Sequence, residues 1–136
     1  MRSVIDNTLE QLENDVWPDP GETTGLIKKI HALRKKPLKD YSIEDLRVFI
    51  GQNCSLYYLI PLAIEKLRVN ILIEGDFFPG DLLKSVLDSD KSYWVQHSDN
   101  WKAVIDLFEA NKYLLDSDNA FRQITKSYMA FKKNYS

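Results

Sequence analysis

The chain has 136 residues, 44% of them hydrophobic, with three Trp, seven Tyr and six Phe. That length suits one domain spanning residues 1–136, and that composition supplies a real core, which excludes a disordered chain. A formal net charge of −2 argues against general nucleic-acid binding, and the single cysteine, Cys54, excludes an internal disulfide framework or a Cys-rich metal site.

The near-neutral total conceals segregation. Residues 1–25 set one arginine against six carboxylates, a net −5. Residues 26–40 set six cations against Asp40, a net +5, and residues 71–90 set Lys84 against five carboxylates, a net −4. Such asymmetry steers association. The start, Met1 to Asn7, has no apolar h-region, so no signal peptide is expected. The longest apolar run, Leu56 to Ile64, is shorter than the roughly 20 residues of a membrane span.

Helical periodicity runs through the chain. An acidic first helix carries Glu10, Glu13 and Asp15 and ends at Trp17-Pro18. Trp17 either clamps that helix to the body or stands exposed as a partner anchor; the clamp is the favoured reading. Leu26, Ile30 and Leu33 share one face of a second helix, capped by Thr23 or Thr24 and stopped by Pro37. Ser42 opens a third, with an acid three residues on, followed by Leu46, Phe49 and Ile50. Asn53 or Ser55 marks the next boundary. Leu56 to Ile64 is apolar nearly all round, as in a central buried helix, with a kink or a late start at Pro61 and an end at Asn70. Cys54 reads as a small buried filler.

Glu74 to Leu83 combines three carboxylates, two adjacent aromatics and a turn. Pro79-Gly80 suits the middle of a tight turn, and Asp81 falls at a helix start. Phe77 and Phe78 are expected to dock on the domain while the acids face water. Val69 to Ile73 and Tyr93 to Val95 have strand-like composition and are candidates for a small pairing. Asp81 to Leu87 reads as a short helix. Ser98-Asp99-Asn100 opens another with Trp101, Val104, Ile105 and Phe108, and Ser117-Asp118-Asn119 starts the last with Phe121, Ile124, Tyr128 and Phe131. The expectation is an all-α or nearly all-α bundle of six or seven helices.

No catalytic constellation emerges. His31 and His97 lack a ligand partner at i+4, the five glycines form no phosphate loop, and Asp76 and Asp81 lack the spacing of a calcium loop. No enzyme activity, metal or cofactor is expected. The basic stretch around Lys28, Lys29, Lys35 and Lys36 offers an alternative, a small nucleic-acid-binding or regulatory domain, but it lacks the interleaved aromatics that stack on bases.

Several stretches in fixed order carry a family resemblance: Leu12-Glu13-Asn14-Asp15-Val16-Trp17-Pro18, Leu33-Arg34-Lys35-Lys36-Pro37-Leu38, Glu44-Asp45-Leu46-Arg47-Val48-Phe49-Ile50-Gly51-Gln52, Leu59-Ile60-Pro61-Leu62-Ala63-Ile64 and the acidic turn from Glu74 to Leu83. Over residues 9–87 the chain resembles the immunity proteins of bacterial contact-dependent growth inhibition systems, the small helical CdiI-type family. The resemblance implies a cytoplasmic non-enzyme that binds the C-terminal toxin domain of a CdiA-type effector, often a nuclease, without touching nucleic acid or membrane itself. A nuclease needs a basic cleft. The carboxylates of Glu10, Glu13, Asp15, Glu74, Asp76 and Asp81 are therefore the expected toxin-binding set.

Overall fold

The computed structural model describes residues 3–135; Met1, Arg2 and Ser136 lie outside it, and with them Arg2's share of the N-terminal charge and the first residues of the segment read for a signal peptide. Nine α-helices occur among the described residues: α1 (Leu9–Glu13), α2 (Gly25–Leu33), α3 (Ile43–Gly51), α4 (Leu56–Val69), α5 (Asp81–Leu87), α6 (Lys91–Gln96), α7 (Ser98–Ala110), α8 (Lys112–Leu115) and α9 (Arg122–Tyr135). Single 3-10 turns cover Val4–Asp6, Leu38–Asp40 and Asn119–Phe121. The architecture is all-α. Helices occupy all seven expected places, and the short α6 and α8 add to them; α1 is shorter than expected, since left-handed Asn14 closes it at Glu13 and leaves Asp15 and Trp17 beyond it, and α9 starts at Arg122, after a 3-10 turn at Asn119–Phe121.

Local chemistry explains most boundaries. Thr8, Thr24 and Ser42 each accept a backbone N–H three residues on, and at Ser42 the Asp45 carboxylate returns the bond to the cap's own N–H. Asn14, Asn53 and Ser55 take left-handed conformations at helix junctions. Pro61 sits inside α4 at an exposed position, where its missing N–H leaves the Tyr57 carbonyl without its helical donor. The expected strand pairing does not form: Tyr93 to Val95 lie in α6, and Val69 to Ile73 close α4 and turn away. Asp90 overrides the β-leaning composition, because its carboxylate accepts the Ser92 N–H and caps a helix there.

The centre of the molecule is α5, not α4. Leu82, Leu83 and Val86 are wholly buried, and α5 packs against α3, α4 and α9 together. Full burial of each such side chain contributes about 1.5–3 kcal/mol. In α4, Leu59, Ile60, Ala63 and Leu67 face the core, yet Tyr57 remains 65% exposed, so the run read as buried all round is amphipathic. The C-terminal helices lock on from the other side. The Phe108 and Tyr128 rings stack at 3.6 Å, Trp94 meets Phe131 edge-on, and the Trp94 indole donates to Ser89 Oγ, which donates to the Val86 carbonyl.

Candidate functional site

The loop between α4 and α5 is the most heavily organised non-helical segment. Asn70 ends α4, and its Oδ1 accepts the Leu72 N–H at 3.0 Å. Gly80 N–H reaches the Leu72 carbonyl, and a single antiparallel bridge joins Glu74 to Pro79. Phe78 to Asp81 form the predicted turn. Asp81 N–H donates to the Phe78 carbonyl at 3.0 Å, and Gly80 has φ 87° and ψ 5°, a type II conformation that glycine accepts readily.

Asp81 is the loop's anchor. Its Oδ1 accepts Gly75 N–H at 2.7 Å, and its Oδ2 accepts Phe77 N–H at 3.1 Å and Phe78 N–H at 3.4 Å. From α3, Glu44 accepts Asp76 N–H at 3.0 Å, and its two oxygens accept from Arg47 Nε and Nη2, each at 2.6 Å. Arg47 lies 3.9 Å from Asp81 and 4.3 Å above the Phe77 ring. The bond to Arg47 is the main reason the Glu44 carboxyl is held below its usual range, and the same bond raises Arg47. Gly75 lies close under these carboxylates: a Cβ there would fall 2.7 Å from Glu44 Oε1 and would have to push that side chain aside.

Exposure reverses the expectation for Asp81 and the two phenyl rings, while Glu74 and Asp76 face water as expected. Asp81 is 2% exposed, whereas Phe77 is 68% and Phe78 40% exposed. Loop N–H groups that no helix or sheet satisfies need an acceptor, and the carboxylate fills that need in a site almost closed to water. The phenyl rings are consequently turned outward, beside an open cleft of about 350 Å³ between α3 and α5. Glu74 and Asp76 are exposed, and among the described residues neither carboxylate enters an ion pair.

The N-terminal acids lie in a different setting. Glu13 pairs with Arg34, which is 2% exposed, and also accepts from Ser55 Oγ. Arg34 donates to the Asp15 carbonyl at 2.7 Å and lies 4.3 Å above the Trp17 ring, whose Nε1 donates to the Asp15 carboxylate. Trp17 also meets His31 edge-on at 5.2 Å. It is half-buried against the core, in the clamping role. Glu10 pairs with Lys35 at 2.8 Å. The six predicted carboxylates thus fall into two groups, Glu10, Glu13 and Asp15 beside Lys35, Arg34 and Trp17, and Glu74, Asp76 and Asp81 on the α4–α5 loop. Glu44, Arg47 and Phe77, which the expected set does not include, are in contact with one another and with this loop. The Glu44–Arg47 spacing advertises an intrahelical pair, but not the loop it holds.

The basic stretch is engaged internally as well. Lys29 and Lys36 both approach Asp45, at 3.8 and 2.8 Å, and Lys39 pairs with Asp6. Cys54 is half-buried, and burial pushes its thiol up. Among the described residues no group of three His, Cys, Asp or Glu side chains is placed to hold a metal ion, and no helix is long and apolar enough to cross a membrane.

No curated protein and no solved structure matches this chain. The family model described as CDI immunity proteins matches residues 11–104, which takes in α2 to α6, the first half of α7 and every carboxylate of the expected set except Glu10, and extends past residue 87, where the resemblance read from motifs stopped. With that model covering well over half its length, the chain belongs to the CDI immunity protein family.

Proposed function

We propose that this immunity protein neutralises the C-terminal toxin domain of a cognate CdiA-type effector by binding it directly in the cytoplasm, without catalysis of its own. The toxin surface it meets is basic, as the nucleic-acid cleft of a nuclease is. The supporting observation is the rigid α4–α5 loop, which holds the exposed carboxylates of Glu74 and Asp76 outside any ion pair while Asp81, Glu44 and Arg47 fix the backbone beneath them. Within the predicted set Glu74 and Asp76 are the contact residues. Asp81 acts from below by holding the loop, and Glu10, Glu13 and Asp15 supply a second acidic edge whose carboxylates already meet Lys35, Arg34 and Trp17.

Preorganisation favours the loop, because no ordering of the backbone is needed at the moment of association. Co-expression with the terminal domain of the effector encoded immediately upstream should restore growth, and the two proteins should co-elute from a size-exclusion column. No rescue together with no complex would sink the reading.

A further inference from the structure

We propose that Phe77 is the anchor of the toxin interface and that it receives a lysine or arginine side chain of the toxin across its solvent-facing ring, with Glu74 and Asp76 flanking that cation. The proposal rests on the direct-binding reading above and specifies its chemistry. Burying a phenylalanine side chain is among the larger single gains in folding. This chain instead holds Phe77 68% exposed on a segment fixed by five backbone N–H bonds: three to Asp81, one to Glu44 and one from Gly80 to Leu72. A rigid exposed aromatic loses little entropy on binding, which is the property of an interface hot spot.

The local charges select the occupant. The face of a phenyl ring is electron-rich and attracts cations. Arg47 already places its guanidinium 4.3 Å above one face, and the side chain is still 68% exposed at the mouth of the α3–α5 cleft. Glu74 and Asp76, within three residues of Phe77, are exposed carboxylates outside any ion pair among the described residues. An apolar occupant would desolvate these carboxylates with only the Arg47 guanidinium, already shared by Glu44 and Asp81, as counter-charge, which is costly. A polyanion would be repelled by them. A cationic side chain answers both the ring and the carboxylates.

The test measures equilibrium binding of the purified, catalytically inactivated terminal domain of the upstream-encoded effector to the full chain and to F77A, F77L, F77W and an E74Q/D76N double variant. Melting temperatures are recorded alongside. F77A should weaken binding by about thirtyfold or more, as a hot spot does, with its melting temperature nearly unchanged because the ring is exposed. F77L should be as weak as F77A, since it keeps apolar bulk and lacks the ring face, whereas F77W should bind like the parent. E74Q/D76N should lose about tenfold at low salt and much less at high salt.

Binding of F77A within about threefold of the parent overturns the anchor. Recovery of parental affinity by F77L overturns the cation in favour of an apolar occupant. Toxin-free self-association of the parent that F77A abolishes assigns the surface to a second copy of this chain and likewise overturns the proposal. If the parent forms no complex at all, direct binding fails first and takes the proposal with it, an outcome distinct from a parent that binds and an F77A variant that does so equally well.

Discussion

At Asp81 one carboxylate accepts three backbone N–H groups from the preceding loop while lying 2% exposed. Removing such an acceptor leaves three part-buried donors without their partner. Asp81→Ala should therefore cost about 3 kcal/mol, more than loss of a surface helix cap, and urea denaturation would measure it. A loss under about 1 kcal/mol would mean the loop N–H groups find water or other partners. Gly80 is constrained by both its φ of 87° and its neighbours, as an added Cβ would fall 2.6 Å from Ile124 Cδ1. Gly80→Ala should destabilise by about 2 kcal/mol, combining left-handed strain with displacement of an α9 side chain, again by urea denaturation. The Pro79-Gly80 turn was legible because both residues have intrinsic conformational preferences. The fates of Asp81 and Phe77 were not. They depend on which groups the fold leaves without partners, and a residue's side-chain chemistry alone says nothing of that.

Two neighbouring carboxylates at the start of α3 tie that helix to its surroundings. Its first turn carries Glu44, bound to Arg47 and to the Asp76 N–H, and Asp45, which accepts from Ser42 and Lys36. For Glu44 the Arg47 bond dominates and lowers the carboxyl. For Asp45 burial is the largest influence and raises it, but Lys36, the Ser42 N–H and Lys29 together outweigh burial, and the net direction is again down. Carboxyls depressed in the folded state stabilise it above their ordinary unfolded range, and that contribution is lost as pH falls through the folded values. Stability by urea titration should decline on the acid side, and Glu44→Gln should shallow that decline. An acid limb identical in the variant would remove Glu44 from the linkage. The capping signals that start α2 and α3 were readable from Thr24, Ser42 and Asp45. The strand-like reading of Tyr93 to Val95 failed because β-propensity reflects packing context more than backbone preference, and Asp90 supplied a cap that decided the matter.

Over the whole molecule, the family match ends at residue 104, yet the core does not. Phe108, Leu115, Ile124, Tyr128 and Phe131 are buried, and α9 packs on the central α5. A chain cut after Ala110 should accordingly lose its cooperative thermal transition by circular dichroism, since α5 would be stripped on one side. The amphipathic spacing of Ile124, Tyr128 and Phe131 made α9 legible, while its partner helix was not, because periodicity names a buried face without naming what covers it. Charge behaves likewise. The sequence shows a net −5 over residues 1–25 and −4 over residues 71–90. In the folded molecule Glu10, Glu13 and Asp6, half of the six carboxylates of the first segment, already face Lys35, Arg34 and Lys39, so much of its long-range field is cancelled at home. Glu74 and Asp76 keep theirs. Charge reversal at Glu74 or Asp76 should slow association with the toxin domain by about two- to fivefold at low salt and flatten its salt dependence, leaving dissociation less affected. Glu13→Lys should act mainly on the fold, because it sets a second cation beside the buried Arg34 guanidinium. Stopped-flow association rates paired with thermal melts separate the two effects. A rate deficit at Glu13 with an unchanged melt would move the steering surface to the N-terminal helix.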